Sequence, residues 1–219
     1  MNDIYQILEE DGILPIVNIQ DASKAKALLN AYCKAGIRAM EVTLRSEAAL
    51  SAIQAIANSK MPMNIGAGTV LTVDECKRSL KHGATFMVTP CLNEKVVRFC
   101  LDHSVPVIPG CSTATEIFRA LELGINVIKF FPAKNLGGLD TVKALLGPFE
   151  KMNPKFMPTG GINEASIEEY APIPNVIALA GSWLAPRNLL LNNDFQGIEE
   201  IALRSLRAWR ENRRILAGE

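Results

Sequence analysis

Eight short apolar segments recur along the chain, each separated from the next by a stretch with helical spacing. They cover residues 13–19, 39–44, 63–70, 86–90, 105–110, 126–132, 155–161 and 176–183. Strands that alternate with helices pair in parallel through crossover connections. Eight such units without a linker favour a closed barrel over an open sheet. The pattern therefore predicts one α/β domain over residues 1–219, a (β/α)8 TIM barrel with an N-terminal helix and a long C-terminal helix.

Composition excludes several classes of function. Lys plus Arg and Asp plus Glu both total 23, so the formal net charge is zero and predicts neither nucleic-acid nor membrane binding. The N-terminus lacks a signal peptide's basic and apolar regions, and no apolar run is long enough to cross a membrane. An odd number of cysteines without a CxxC pair argues against a disulfide framework or zinc knuckle, and we expect a cytoplasmic protein. The cysteines are Cys33, Cys76, Cys91, Cys100 and Cys111.

In the second apolar segment, polar and apolar residues alternate, as they do in a strand with one polar face. The even-numbered residues of segment 39–44 are apolar and should face the helices. Because side chains alternate along a strand, Glu41 and Thr43 should point into the barrel. Arg45 shares their side at the end of the strand. Since barrel enzymes gather reactive groups at the C-terminal ends of their strands, these residues are candidates for a site.

Lys129 lies inside the apolar segment 126–132, with Val127 and Phe131 on its side of the strand. The interior of a barrel is a packed core, so a lysine there is costly to bury. Burial disfavours the ammonium form and favours a neutral, nucleophilic amine. A lysine that extends to water or pairs with a carboxylate fits the same position. An inward-pointing Glu41 is consistent with both a neutral, nucleophilic lysine and a lysine in an ion pair, so it does not distinguish them.

Two glycine motifs end the seventh and eighth segments. They are Pro158-Thr159-Gly160-Gly161-Ile162 and Ala180-Gly181-Ser182-Trp183. Barrels commonly bind phosphate at this pair of loops, where glycine N–H groups can approach an anion closely. The third segment ends with Gly66-Ala67-Gly68-Thr69, in which glycines indicate close backbone approach. The Thr69 hydroxyl either binds a ligand at the mouth of the barrel or caps a turn.

Two further features have ordinary structural interpretations. His82 and His103 fall at helix ends that lead into strands, on the face opposite the candidate site, so we expect no metal site and no cofactor. Residues 194–216 predict a long helix whose arginines form a solvated face, with a phosphate- or partner-binding role as the alternative. The arginines are Arg204, Arg207, Arg210, Arg213 and Arg214, above Ile198, Ala202, Leu206 and Trp209.

Six segments in family order resemble the 2-keto-3-deoxy-6-phosphogluconate aldolases, which often also act as 4-hydroxy-2-oxoglutarate aldolases. The segments are Glu41-Val42-Thr43-Leu44-Arg45, Ile65-Gly66-Ala67-Gly68-Thr69-Val70, Ile108-Pro109-Gly110, Lys129-Phe130-Phe131-Pro132-Ala133, Pro158-Thr159-Gly160-Gly161-Ile162 and Gly181-Ser182-Trp183. They extend over nearly the whole chain. The resemblance implies a lysine-dependent aldolase that takes a small-molecule substrate, a phosphorylated 2-keto-3-deoxy sugar acid, and releases pyruvate.

The resemblance also implies a role for each candidate residue. Lys129 would form the Schiff base and Glu41 would be the general acid/base. The pyruvyl carboxylate would lie against Arg45, Thr69 and Pro90, and Phe131 would pack against the substrate. The distal end and its phosphate would lie against Thr159, Gly160, Gly161 and Ser182. The family is typically homotrimeric, so we expect a homotrimer.

The chain departs from the family pattern at two places. Cys91 follows the strand-four proline where glycine is frequent, and it would reshape the carboxylate pocket. Lys134 stands where the family pattern has glutamate, and Leu136 disturbs the run that follows, so this loop would favour a different substrate tail. Three alternatives remain open: a 2-keto-3-deoxy-6-phosphogalactonate aldolase, a phosphate-binding barrel isomerase or synthase, and a non-catalytic sugar-acid-binding protein.

Overall fold

The structure, a computed structural model, describes the backbone of residues 3–217 and the side chains of residues 3–214. Nine short strands, all paired in parallel, form its centre. They are β1 (Ile13–Val17), β2 (Ala39–Thr43), β3 (Asn64–Gly68), β4 (Phe86–Val88), β5 (Val107–Ile108), β6 (Gly110–Cys111), β7 (Val127–Phe130), β8 (Lys155–Pro158) and β9 (Leu179–Gly181).

These strands close into an eight-membered barrel, as the sequence predicts. Six follow the order β5-β4-β3-β2-β1-β9, and three follow the order β6-β7-β8. Only Pro109 separates β5 from β6, so they are two pieces of one strand. On the other side, the isolated bridges Phe156↔Val176 and Thr159↔Ala180 join β8 to the chain around β9.

The regular strands are shorter than the apolar segments that predicted them. Segment 105–110 is interrupted because Pro109 has no N–H to donate to a neighbouring strand. In segment 176–183 only Leu179–Gly181 is regular strand, and Ser182–Leu184 forms a 3-10 turn. The prediction that the eighth strand reaches Trp183 is therefore wrong, because the chain turns outward directly after Gly181.

Helices follow the strands around the barrel. They are α1 (Ile4–Asp11), α2 (Ala25–Ala35), α3 (Ala49–Ala57), α4 (Val73–Lys81), α5 (Glu94–Asp102), α6 (Ala114–Glu122), α7 (Gly138–Leu146), α8 (Ser166–Tyr170), α9 (Arg187–Leu191) and α10 (Phe195–Ala217). Thr72 and Thr113 each cap a helix in a capping box. Asp21 caps a 3-10 turn, Ala22–Lys24, that leads into α2. No helix in the described part of the chain is long and apolar enough to cross a membrane.

Two cores lie on opposite sides of the strands. The larger one packs the helices against the outward side chains, including Met40, Val42, Ile128 and Phe130. The smaller one fills the barrel and is covered at its N-terminal end by Ile4, Ile7 and Leu8 of α1. Its strand residues include Leu14, Ala39, Phe86, Val88, Ile108, Val127, Met157 and Ala180. The alternation inferred for β2 and β7 is therefore confirmed.

The long helix α10 packs on the outside of the barrel. Its residues Ile198, Ala202, Leu206 and Trp209 are buried, as predicted from their spacing. Arg213 departs from the predicted solvated face, because its guanidinium donates hydrogen bonds to the carbonyl oxygens of Ala171, Ile173 and Val176. It also stacks on Trp209, with 5.0 Å between the guanidinium carbon and the ring centroid.

We expect Arg213→Ala to lower the free energy of unfolding by about 1.5–3 kcal/mol, because three half-buried carbonyl groups lose a charged donor. Urea denaturation measures the change. Arg207→Ala is the matched control on the same helix, since Arg207 is exposed, and it should stay within about 0.5 kcal/mol of the parent. Equal stability of the two variants would contradict a structural role for Arg213.

Candidate active site

The structure brings Lys129 and Glu41 together inside the barrel. The Lys129 Nζ lies 3.9 Å from the Glu41 Oε1, and the two side chains are 7% and 1% exposed. The pairing follows from the strands, because Lys129 is the inward residue near the end of β7 and Glu41 the inward residue in the middle of β2. An amine and a carboxyl thus share one enclosed space near the C-terminal end of the barrel.

Glu41 has an unusual environment for a carboxyl group. Neither of its oxygens has a hydrogen-bond partner among the described residues, although both are buried. Burial raises the pKa of Glu41 above its usual value, and the nearby Lys129 opposes part of this rise. A buried polar group without partners is costly, and such groups are concentrated at functional sites. Glu41 is therefore placed to exchange a proton with something that enters the barrel.

Gly68 makes room for this carboxyl. A Cβ atom added at Gly68 would lie 1.9 Å from the Glu41 Oε1. Gly66, two residues earlier on β3, gives the same kind of space to the Phe86 ring. The glycines that the sequence indicated as points of close approach therefore accommodate inward side chains rather than the neighbouring backbone.

Phe131 lies between the lysine and the glycine loop. The Lys129 Nζ is 5.3 Å from the centroid of the Phe131 ring. The same ring faces Gly160, where an added Cβ would lie 3.1 Å from the Phe131 Cδ2. Phe131 is half-buried, so one ring contacts both the amine and the turn after β8.

The three residues expected to hold a carboxylate follow three neighbouring strands. Arg45, Thr69 and Pro90 come just after β2, β3 and β4 at the C-terminal end of the barrel. Arg45 is exposed, and its side chain has no hydrogen bond or ion pair among residues 3–214. Thr69 has a φ of 60°, a left-handed conformation that is uncommon for a residue with a Cβ and that concentrates at functional sites. At the mouth of the barrel beside Glu41, the Arg45 guanidinium is therefore available to bind a ligand.

The four residues expected at the distal end lie on two adjacent loops. Gly160 and Gly161 have φ values of 93° and 75°, so the turn after β8 requires glycine at both positions. Thr159 is buried and donates its hydroxyl proton to the Met157 carbonyl at 3.2 Å, which makes it a structural contact of its own strand. Ser182 is exposed on the next loop. The bridge between Thr159 and Ala180 holds the two loops together.

A cavity of about 750 Å³ adjoins this distal end, and no pattern in the sequence predicts it directly. It lies between the ends of β1 and β9 and helix α9. Ile16 forms part of its inner wall, and this residue pairs in register with Glu41 on the neighbouring strand. The lining includes Ile16, Asn18, Ser182, Trp183, Arg187 and Leu190. Asn18 could have been noticed because it lies near the C-terminal end of the first predicted strand, and Arg187 because it follows the eighth.

Comparison with known proteins decides the family. The family model for KDPG and KHG aldolase matches residues 4–201 of the chain. The chain belongs to this family. The resemblance carried by the six sequence segments is therefore confirmed.

Relatives within the KDPG and KHG aldolase family match over nearly their full length. The 2-dehydro-3-deoxy-phosphogluconate aldolase of Treponema pallidum is 42% identical, with 94% of this chain and 97% of the relative covered. The KHG/KDPG aldolase of Escherichia coli is 35% identical, with 90% and 91% covered. A crystal structure of the Legionella pneumophila KDPG aldolase, with pyruvate captured as a covalent carbinolamine intermediate, has a TM-score of 0.87 and 33% identity. The match covers 92% of this chain and 97% of the Legionella pneumophila chain.

In this member of the aldolase family we expect the Glu41 carboxyl to titrate above the usual glutamate range, since burial without hydrogen bonds favours its uncharged form. Carbon-13 NMR of glutamate-labelled protein measures this pKa, and Glu41→Gln assigns the signal. In Lys129→Ala the pKa should rise further, because the attraction of the amine is lost. A Glu41 signal at or below the ordinary glutamate value would contradict the prediction.

Proposed function

We propose that this protein is a class I aldolase that cleaves 2-keto-3-deoxy-6-phosphogluconate to pyruvate and glyceraldehyde 3-phosphate through a Schiff base on Lys129. The observation that carries the proposal is the enclosed pair of Lys129 Nζ and Glu41 Oε1, 3.9 Å apart. A covalent pyruvate adduct in the Legionella pneumophila relative supports the same chemistry, and so do the names of the relatives.

The first half of the reaction builds an electron sink. The Lys129 amine attacks the C2 ketone of the substrate, and the resulting carbinolamine loses water to give a protonated imine. Loss of water requires a proton on the departing hydroxyl, and solvent at the mouth of the barrel supplies it. Burial raises the pKa of Glu41, so its carboxyl is favoured in the uncharged form until a cation forms beside it. No metal or organic cofactor is needed, because the imine cation withdraws the electrons.

The second half breaks the C3–C4 bond. The iminium cation now beside Glu41 favours its ionised form, which takes the proton of the C4 hydroxyl, directly or through a water. The bonding electrons move into the imine, so the aldehyde leaves and a pyruvyl enamine remains on Lys129. The enamine then takes a proton at C3, with Glu41 as the donor, and hydrolysis releases pyruvate and the free amine.

The two ends of the substrate would lie at opposite sides of the barrel mouth. Arg45 binds the pyruvyl carboxylate with its planar fork of donors, beside Thr69 and Pro90. The phosphate lies against the backbone of Gly160 and Gly161 and the hydroxyl of Ser182, and Phe131 packs against the chain of carbons between the two ends. Thr159 supports the distal loop from inside the barrel, consistent with its hydrogen bond to Met157.

The activity named for the Escherichia coli relative supports a second substrate, 4-hydroxy-2-oxoglutarate, cleaved to pyruvate and glyoxylate. The galactonate-derived substrate differs only in stereochemistry at C4. A panel of the three acids, scored by pyruvate release, decides between these assignments.

We also propose that residues 1–219 form one catalytic domain of a cytoplasmic homotrimer. Free cysteines at Cys33, Cys76, Cys91, Cys100 and Cys111 agree with a reducing compartment. Static light scattering measures the oligomeric state.

Treatment with pyruvate and borohydride should attach an N-(1-carboxyethyl) group to Lys129, because only an imine is reduced to a stable amine. Peptide mass spectrometry locates the modification. Lys129→Ala and Lys129→Arg should lose both the modification and aldol cleavage, whereas Lys155→Ala, on the neighbouring strand, should retain both.

The arginine variant separates the proposal from an isomerase or synthase that uses Lys129 only for its charge. Substantial turnover by Lys129→Arg, or modification of another lysine, would contradict the proposed mechanism. A failure of the parent protein to release pyruvate from any of the three acids would favour a non-catalytic binding protein.

Glu41→Gln should still trap pyruvate with borohydride but should lose about 10²–10⁴-fold in kcat, because the amide cannot exchange the required protons. Glu47→Gln is the matched control in the loop after the same strand, since Glu47 is exposed and its change should leave kcat unaltered. Steady-state pyruvate release gives both values. If Glu41→Gln loses trapping as well, the role of Glu41 lies in forming the imine rather than in cleaving the C3–C4 bond.

A further inference from the structure

Two cations near the distal end of the site have no partner in the protein. Lys134 and Arg187 are both exposed, and neither side chain makes a hydrogen bond or ion pair among residues 3–214. The third cation in this region, Lys24, is already engaged, since its Nζ donates to the Leu190 carbonyl at 2.7 Å and to the Leu191 carbonyl at 3.3 Å. Lys24 thereby ties the start of α2 to α9, the helix that carries Arg187.

Lys134 lies directly over the glycine turn. Its backbone N–H donates to the Gly160 carbonyl at 3.0 Å. A Cβ added at Gly161 would lie 2.4 Å from the Lys134 Cβ and 2.8 Å from its Cδ. The aliphatic part of the lysine therefore covers the turn whose amide groups are the proposed phosphate donors. Its ammonium group remains free in solvent beside that turn.

Arg187 approaches the same end from the other side. It lines the cavity of about 750 Å³ together with Ser182, Trp183 and Asn18. The one acidic side chain in the lining, Asp21, is held by its own turn, because it accepts the Ser23 N–H at 2.9 Å. Ile162, which follows the glycine turn, also lines the cavity, so Arg187 and Lys134 flank one continuous stretch of the mouth.

The charge of the group at the distal end of the substrate determines how strongly these two cations attract it. Backbone amides and the Ser182 hydroxyl donate hydrogen bonds to phosphate and carboxylate oxygens alike. Coulomb attraction grows with charge, so an unpaired cation favours a phosphate monoester, which carries up to two negative charges, over a carboxylate with one. Because the chain has a formal net charge of zero, local cations and not a long-range field must provide this preference.

We propose that Lys134 and Arg187 are specificity-determining residues that select substrates with a phosphate monoester at the distal end over substrates that end in a carboxylate. The proposal rests on the aldolase function above and assigns the selection to two side chains outside the Schiff-base machinery. Each cation acts on binding of the distal group, so its removal changes KM for the phosphorylated substrate and leaves the chemistry at C2 to C4 unaltered.

Steady-state kinetics with 2-keto-3-deoxy-6-phosphogluconate and with 4-hydroxy-2-oxoglutarate test the proposal. Lys134→Glu should raise KM for the phosphorylated acid about 5–10-fold and Arg187→Ala about 3–5-fold, as expected for exposed charges acting on a dianion. KM for the shorter acid should change less than about twofold, and kcat should be retained. Added salt should raise KM for the phosphorylated acid more in the parent than in either variant.

Lys151→Glu is the matched control, because Lys151 is an exposed lysine in the 3-10 turn before β8, at the opposite end of that strand from the glycine turn. It should leave both KM values at the parental level. Inorganic phosphate provides a second readout, since its inhibition constant should rise in Lys134→Glu and Arg187→Ala but not in the control.

Pyruvate trapping distinguishes a failure of the proposed aldolase function from a failure of the proposed substrate selection. Borohydride should modify Lys129 in the parent and in all three variants. If the parent is not modified, the aldolase function itself is wrong. If trapping persists but the ratio of the two KM values is unchanged in Lys134→Glu or in Arg187→Ala, the assignment of that residue is overturned. An equal increase for both substrates overturns it as well, because the effect would not depend on phosphate.

Discussion

The buried pair of Lys129 and Glu41 is the constraint on which the rest of the barrel depends. Taking an amine and a carboxyl out of water is costly, and the attraction between them offsets this cost only in part. Their atoms are 3.9 Å apart, and Glu41 has no hydrogen bond among the described residues, so the pair is not arranged for maximum stability. Such an arrangement persists because a closed ring of parallel strands and two packed cores hold it.

In this barrel, the strands form a rigid support, and the loops that follow them can vary in sequence. The strands β2 and β7 hold the amine and the carboxyl that we propose to react, and α1 covers the opposite end of the barrel with apolar side chains. The loops that follow the strands carry the groups that we propose to contact the rest of the ligand. Gly68 illustrates the precision of the rigid part, because even one methyl group there would displace the Glu41 carboxyl. Substitutions in the loops can change the ligand without changing the chemistry.

Sequence periodicity predicted the rigid part well for a physical reason. Side chains alternate along a strand, so the apolar neighbours of Glu41 and Lys129 were enough to place both inside the barrel. Glycine pairs likewise marked the turn after β8, because positive φ angles favour residues without a Cβ. The proline within segment 105–110 and the outward turn after Gly181 depend on local backbone geometry, and the expected strands were too long at both places.

The cavity beside α9 could not be predicted in the same way. Its walls come from the first strand, the last strand and a short helix, which meet only because β1 pairs with β9. The prediction of a solvated face is also wrong for Arg213, because its partners are carbonyl groups about 40 residues earlier in the chain, at the end of α8 and beyond it. Contacts of this kind leave no periodic trace in the sequence.

The distribution of charge explains how one barrel can keep its chemistry and vary its substrate. The Lys129 amine and the Glu41 carboxyl, which we propose to react, are enclosed, where low polarity strengthens each interaction and where a changed charge would be costly. Arg45, Lys134 and Arg187 stand at the open mouth, where each can be replaced at little cost to folding. On the proposed mechanism, a substitution among these three residues would alter which anion is attracted, whereas the buried pair would act only on the keto group that all these substrates share. Selectivity for the substrate tail could then change independently of the bond that is broken.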